Sequence, residues 1–135
     1  PGGIGPEIVL PLVKNKEIIE LSDTVIKPFY KEKSVIAINL LRSKINSENF
    51  RIHKAEGALF LWLWFKDLPI SSNELYKMLK NKGLIVVSGH YFFPGLDQDW
   101  KHKNECLRLN YAQDSKVVER GIEILAETIN ELYQV

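Results

Sequence analysis

The chain has 135 residues and a mass of 15.6 kDa, the size of one domain. It is 45% hydrophobic and 26% charged, apolar enough to offset its ordering entropy, so intrinsic disorder is excluded. A single cysteine, Cys106, excludes a disulfide scaffold and a four-thiolate zinc module, and 18 basic against 17 acidic residues set up no field that draws in nucleic acid or anionic lipid. The longest apolar run, Ala58 to Phe65, has eight residues, far short of the roughly 20 needed to span a bilayer. Lys14, Lys16 and Glu17 interrupt the early apolar stretch, which is not the pattern of a signal peptide. The chain opens at Pro1 without an initiator methionine, which fits either processing or a piece of a longer protein.

In Pro1-Gly2-Gly3-Ile4-Gly5-Pro6, the second proline suits a first helical turn, where its missing N–H would be unpaired anyway. Glu7 then places a carboxylate near the positive end of the helix dipole, and a short helix through Val13 is expected. The glycines read as a turn allowing close approach of two backbones; a phosphate cradle there lacks a preceding strand and would face repulsion from Glu7. Ile18, Leu21, Val25, Ile26 and Phe29 recur at helical spacing, and Val35, Ile38, Leu41 and Ile45 resume it after Pro28. Residues 17–45 are therefore expected to form one long bent helix or two in tandem, interrupted at Pro28.

From Asn46 the period changes. Phe50 to His53 reads as a short strand, and Leu59 to Trp64, apolar on both faces, as a central one. Ser71, Ser72 and Asn73 offer caps for a helix that buries Leu75, Met78 and Leu79 and stops at Gly83. Leu84 to Val87 reads as a buried strand, and residues 88–105 as a long aperiodic loop of the length that is commonly functional. Cys106 to Tyr111 alternates, with Leu107, Leu109 and Tyr111 on one face and Cys106, Arg108 and Asn110 on the other. Asp114 and Ser115 cap a last helix whose inner residues are Val118, Ile122, Leu125, Ile129 and Leu132. The fold class is α/β (α+β): a mixed sheet of about four strands with packed helices, preceded by a helical arm.

Arg108 is the most informative residue. Arginines number four against fourteen lysines, and this one sits mid-strand between leucines. A guanidinium on a covered sheet face keeps its proton and needs an anionic partner. Two partners remain open: a structural carboxylate from Asp97, Asp99 or Glu105, or a ligand carboxylate gripped bidentately, with Asn110 adding a hydrogen bond. His90, His102 and Cys106 match no short metal-ligand spacing, and Cys106 on a strand reads as a buried residue rather than a nucleophile. Trp62 and Trp64 share a face with Phe60. They read as core or interface, because the lysines nearby are interleaved with acids and form no basic groove for nucleic acid.

Four stretches carry a family resemblance: the opening Pro1–Pro6, the block from Glu56-Gly57-Ala58 through Leu59-Phe60-Leu61-Trp62-Leu63-Trp64-Phe65-Lys66-Asp67-Leu68-Pro69-Ile70, Ser88 to Asp97, and Cys106 to Tyr111. Together they resemble the C-terminal part of pyridoxal-phosphate-dependent aminotransferases of fold type I, in the branch acting on valine and pyruvate, and the resemblance covers essentially the whole chain. It implies an enzyme exchanging an amino group between amino-acid and 2-oxo-acid substrates, cytoplasmic and homodimeric, with no nucleic-acid or membrane partner. Residues 1–16 would be the end of the large domain, 17–45 the interdomain linking helix and 46–135 the small domain. Arg108-Leu109-Asn110 matches the family's Arg-x-Asn setting, so the resemblance assigns to Arg108 the substrate α-carboxylate. The Gly57–Phe60 stretch and the Gly89–Gly95 loop resemble elements near the substrate, and the Gly2–Gly5 turn one near the subunit boundary. No lysine here lies in the family's Ser-x-Ser-Lys-type segment, so no catalytic, cofactor-binding or metal residue is assigned, and the chain alone is expected to be inactive. The alternative is a stand-alone α/β interaction module with no cofactor.

Overall fold

The computed structural model describes residues 3–135, in two compact units that divide between Glu32 and Lys33. In the first unit, helix α1 spans Ile4–Lys14, with Pro6 in its opening turn as expected. The close backbone approach expected of Gly2–Gly5 is not found: a Cβ on Gly3 or Gly5 would meet nothing within 4 Å, and Gly2, with Pro1, lies outside the described residues. Lys16, with φ of 60°, separates α1 from helix α2, Glu17–Leu21. A single π-helical turn, Ser22–Ile26, follows, and helix α3, Lys27–Lys44, begins directly after it. Pro28 brings no N–H to the carbonyl one turn back, at Thr24, and its ring crowds that carbonyl. The expected interruption is therefore a wide turn that absorbs the misfit locally rather than a break.

The second unit is built on a four-stranded sheet: β1 Phe50–Ile52, β2 Phe60–Phe65, β3 Val87–Ser88 and β4 Cys106–Asn110, in the order β1-β2-β4-β3. Every pairing is antiparallel, which corrects the expected mixed sheet. The physical reason is that β4 inserts between β2 and β3. Those two run parallel to each other, joined by a helical crossover, yet each meets only the reversed β4. The expected strand over Leu84–Val87 is also shorter than its apolar run suggests. Only Val87 pairs, opposite Arg108, and Ile85 is 76% exposed, because this run forms the sheet edge.

Strand β2 is central, as its two apolar faces predicted, but its faces differ in cover. Leu61, Leu63 and Phe65 are buried, while Phe60, Trp62 and Trp64 are half-buried or exposed. Helix α4, Ser72–Asn81, starts with a capping box: the Ser71 side chain accepts from Glu74 N–H, and the Glu74 carboxylate accepts from Ser71 N–H. It ends at Gly83, whose φ of 90° turns the chain out of the helix. Helix α5, Ser115–Tyr133, is capped by Asp114 and buries Ile122, Leu125 and Ile129. Helix α3 buries Ser34, Ala37 and Leu41, with Ile45 just beyond it: the expected stripe holds at Leu41 and Ile45, while at its start Ser34 and Ala37 face inward and Val35 is exposed. The Asn130 side chain ties α5 to the end of α3 through Lys44 C=O and Asn46 N–H, and Lys82 ties α4 to α5 through Thr128 and Glu131.

Candidate functional site

Arg108 is the third residue of β4, in register with Trp62 of β2 on one side and Val87 of β3 on the other. Alternation puts its side chain on the Phe60–Trp62–Trp64 face, away from the buried leucines. There the guanidinium lies 4.3 Å from the ring centre of Phe60 and 4.9 Å from that of Phe92. Among the described residues it has no carboxylate within ion-pair distance, and each structural partner expected from sequence is elsewhere or otherwise engaged. Glu105 is buried and spends its carboxylate on Trp64 Nε1–H at 2.8 Å and Asp67 N–H at 2.9 Å, with Lys101 at 3.6 Å. Among the described residues, neither Asp97 nor Asp99 forms an ion pair. Asn110 does not assist Arg108: its side-chain oxygen turns back to accept from Ala112 N–H at 2.7 Å. Among the described residues, then, none supplies the anion that was expected at this guanidinium.

The long loop supplies the surroundings. It contains two 3-10 turns, Gly89–Phe92 and Lys101–Asn104, whose short period explains why no helical or strand spacing was legible there. The first turn carries Phe92 to Arg108, and Phe92 meets Trp62 edge to face at 5.2 Å. Phe93, Trp100 and His102 extend the aromatic cluster, with His102 against Trp64 at 4.8 Å. Thus the Gly57–Phe60 stretch and the Gly89–Gly95 loop, separated by about thirty residues, converge on one arginine. Phe60 could have been placed by strand alternation. The resemblance marked the loop that holds Phe92 but not Phe92 itself.

Cys106 and His102 come together, with Sγ 3.5 Å from Nε2, but His90 is bound elsewhere, to Ser88 Oγ at 2.7 Å. Among the described residues no group of three His, Cys, Asp or Glu side chains could hold a metal ion. Burial pushes the Cys106 thiol up to about 12, which suppresses the thiolate a nucleophile needs. Asp67 is held below its ordinary value by the hydrogen bond from Lys101. The lysines of the loop are committed: Lys101 to Asp67 and Lys103 to the carbonyls of Leu96 and Gln98. The donor set around Arg108 is therefore one guanidinium among aromatic rings. It suits a small carboxylate and does not fit pyridoxal phosphate, which needs an amine for its aldehyde and a cradle for its phosphate.

No protein-family model matches the chain. Valine–pyruvate aminotransferase of Escherichia coli (strain K12) is 48% identical over 129 residues, covering 96% of this chain and 31% of that relative. The crystal structure of valine–pyruvate aminotransferase from Salmonella typhimurium LT2 aligns with a TM-score of 0.91 at 47% identity, over 99% of this chain and 34% of the other. Kynurenine aminotransferase of Pyrococcus horikoshii, solved in complex with PMP, aligns with a TM-score of 0.67 at 30% identity, over 78% of this chain and 25% of that one. The chain thus spans about a third of the length of the relatives it matches. Sheet and helices together match the C-terminal part of aminotransferases of this fold. Within that class, the protein it resembles along essentially its whole length is valine–pyruvate aminotransferase. A stand-alone interaction module is not favoured.

Proposed function

We propose that this chain supplies the substrate-carboxylate side of a pyridoxal-phosphate-dependent transamination between valine and pyruvate, and that Arg108 is the carboxylate receptor. The observation carrying this reading is the guanidinium of Arg108, set against two aromatic rings and without a carboxylate partner among the described residues. Arginine stays protonated throughout the working pH range, and its planar fork donates two parallel hydrogen bonds to a carboxylate. Amino-acid and 2-oxo-acid substrates both present that carboxylate, so one receptor serves both halves of the exchange. Fixing it orients Cα relative to the reacting centre and turns an encounter into a positioned step. Pyridoxal phosphate supplies the carbonyl and electron sink of the reaction when bound. The lysine and phosphate site that hold it belong, in this reading, to the part of the relatives that this chain does not span. Residues 1–16 are read as the end of a large domain, 17–45 as the link and 46–135 as the small domain. The whole protein is read as a cytoplasmic homodimer. What the structure contributes directly is narrower: among the described residues, no helix is long and apolar enough to cross a membrane.

The test is Arg108→Lys in the intact protein. A compact ammonium cannot reproduce the bidentate fork, and loss of one charge-assisted contact costs about 1.5–3 kcal/mol, roughly 10- to 150-fold in substrate binding. The measurement is KM for valine and for pyruvate. Unchanged values for both would remove Arg108 from the substrate and leave the reading without its support.

A further inference from the structure

A long arginine side chain on a sheet face is ordinarily held by a carboxylate, but such a partner occupies the same N–H fork that an incoming carboxylate must use. An aromatic ring engages the guanidinium through its π face and leaves the N–H groups at the edge to other acceptors. Arg108 is held in the second way, by Phe60 at 4.3 Å and Phe92 at 4.9 Å.

The two rings differ in how they arrive. Phe60 stands on β2, one diagonal step from Arg108 in the sheet, and needs no special support. Phe92 comes from a short 3-10 turn, and that turn is pinned at several points. Ser88, at its cap, pairs with Leu107 in the sheet. Its buried hydroxyl links the Ser72 hydroxyl at 2.8 Å to His90 Nδ1 at 2.7 Å. Gly89 lies so close to β4 that a Cβ would stand 2.5 Å from the Cys106 carbonyl oxygen. At the other end, the Phe92 ring rests edge to face on Trp62, the residue directly opposite Arg108 in register.

The geometry points to Phe92, seated on Trp62, as a positioning residue for Arg108: with Phe60 it stands in for a counter-ion and holds the guanidinium while keeping its hydrogen-bonding edge free for the substrate carboxylate. This inference rests on the reading of Arg108 as the carboxylate receptor. It assigns no contact between Phe92 and the substrate. Its role is the orientation of the guanidinium, so its loss should be felt through the carboxylate alone.

The experiment measures dissociation constants of 3-methylbutanoate and of its uncharged amide, 3-methylbutanamide, in the intact holoprotein and in Phe92→Leu, Phe92→Tyr and Arg108→Lys. Loss of one aromatic face from the cation should weaken the carboxylate roughly 5- to 30-fold in Phe92→Leu, leave the amide unchanged, and be restored in Phe92→Tyr, which keeps the ring. The amide also reports whether the variant is folded. Equal weakening of acid and amide in Phe92→Leu would make Phe92 part of the substrate's apolar pocket and overturn the inference. So would unchanged binding of the acid. If Phe92→Leu behaves as expected but Tyr does not restore binding, ring stacking is not the cause and the inference fails. An Arg108→Lys variant that binds the acid normally would instead bring down the carboxylate-receptor reading itself, and the inference with it.

Discussion

Arg108, Glu105 and Cys106 stand within four residues of one another and meet three different fates. The guanidinium faces rings and has no carboxylate partner among the described residues; the Glu105 carboxylate is consumed by Trp64, Asp67 and Lys101; the Cys106 thiol is buried. From sequence, Glu105 was one of three candidate structural partners for Arg108, beside a ligand carboxylate. Glu105 precedes β4, and its carboxylate is taken by Trp64, Asp67 and Lys101 instead. Cys106 yields a prediction with a defined sign. Its folded-state thiol is raised to about 12 by burial, so the contribution to stability is fully present below the unfolded thiol pKa and is lost as pH climbs towards the folded value. Stability should therefore decline between about pH 9 and 12. Denaturation midpoints should show a shallower alkaline decline in Cys106→Ala, and identical pH profiles would contradict the assignment. Iodoacetamide at pH 8 should leave Cys106 unmodified in the folded chain and label it on unfolding.

At the scale of elements, the site is made by a strand and a turn meeting edge on. Strand β4 presents alternate residues to two environments, which keeps Leu107 and Leu109 in the core while offering Arg108 to the loop. The turn Gly89–Phe92 has little local stability as a 3-10 segment and depends on what it touches. Gly89 is the critical position, since the atoms a side chain would strike are the carbonyl group and Cβ of Cys106, which cannot swing aside. Gly89→Ala is expected to cost about 1–3 kcal/mol by displacing the turn. The midpoint of urea denaturation reads this directly, and a midpoint equal to that of the parent would show that the turn tolerates displacement. Helix α4 needs less tertiary help, because its capping box and its glycine stop are encoded locally.

For the whole molecule, the two compact units contrast in how they treat apolar side chains. The second buries a continuous set from Ala37 to Ile129. The first buries none in α1, α2 or the π turn, and Ile4, Ile8, Val13, Ile19, Val25 and Phe29 are each more than half exposed or close to it. Apolar surface of this extent drives association in water. The 135-residue chain should therefore self-associate as its concentration rises, and Ile8→Glu with Ile19→Glu should suppress this. Light scattering that finds a monomer at all concentrations would show that this surface is not adhesive.

Much of the architecture was legible from the sequence because it is written in local chemistry. The central strand follows from six consecutive apolar residues, the start of α4 from the caps offered at Ser71 to Asn73, and its end from Gly83. The family was legible for a different reason, a resemblance spread along the chain. Other features depended on partners remote in sequence. Strand order decided that the sheet is antiparallel throughout, because β4, last in the chain, enters between β2 and β3. Edge position decided that Ile85 is exposed despite its apolar neighbours. The surroundings of Arg108 were decided in the same way. A guanidinium's preference for an anion is a property of one residue, but whether Glu105 or the rings of Phe60 and Phe92 reach it depends on side-chain direction and loop closure, which exist only once the chain is folded.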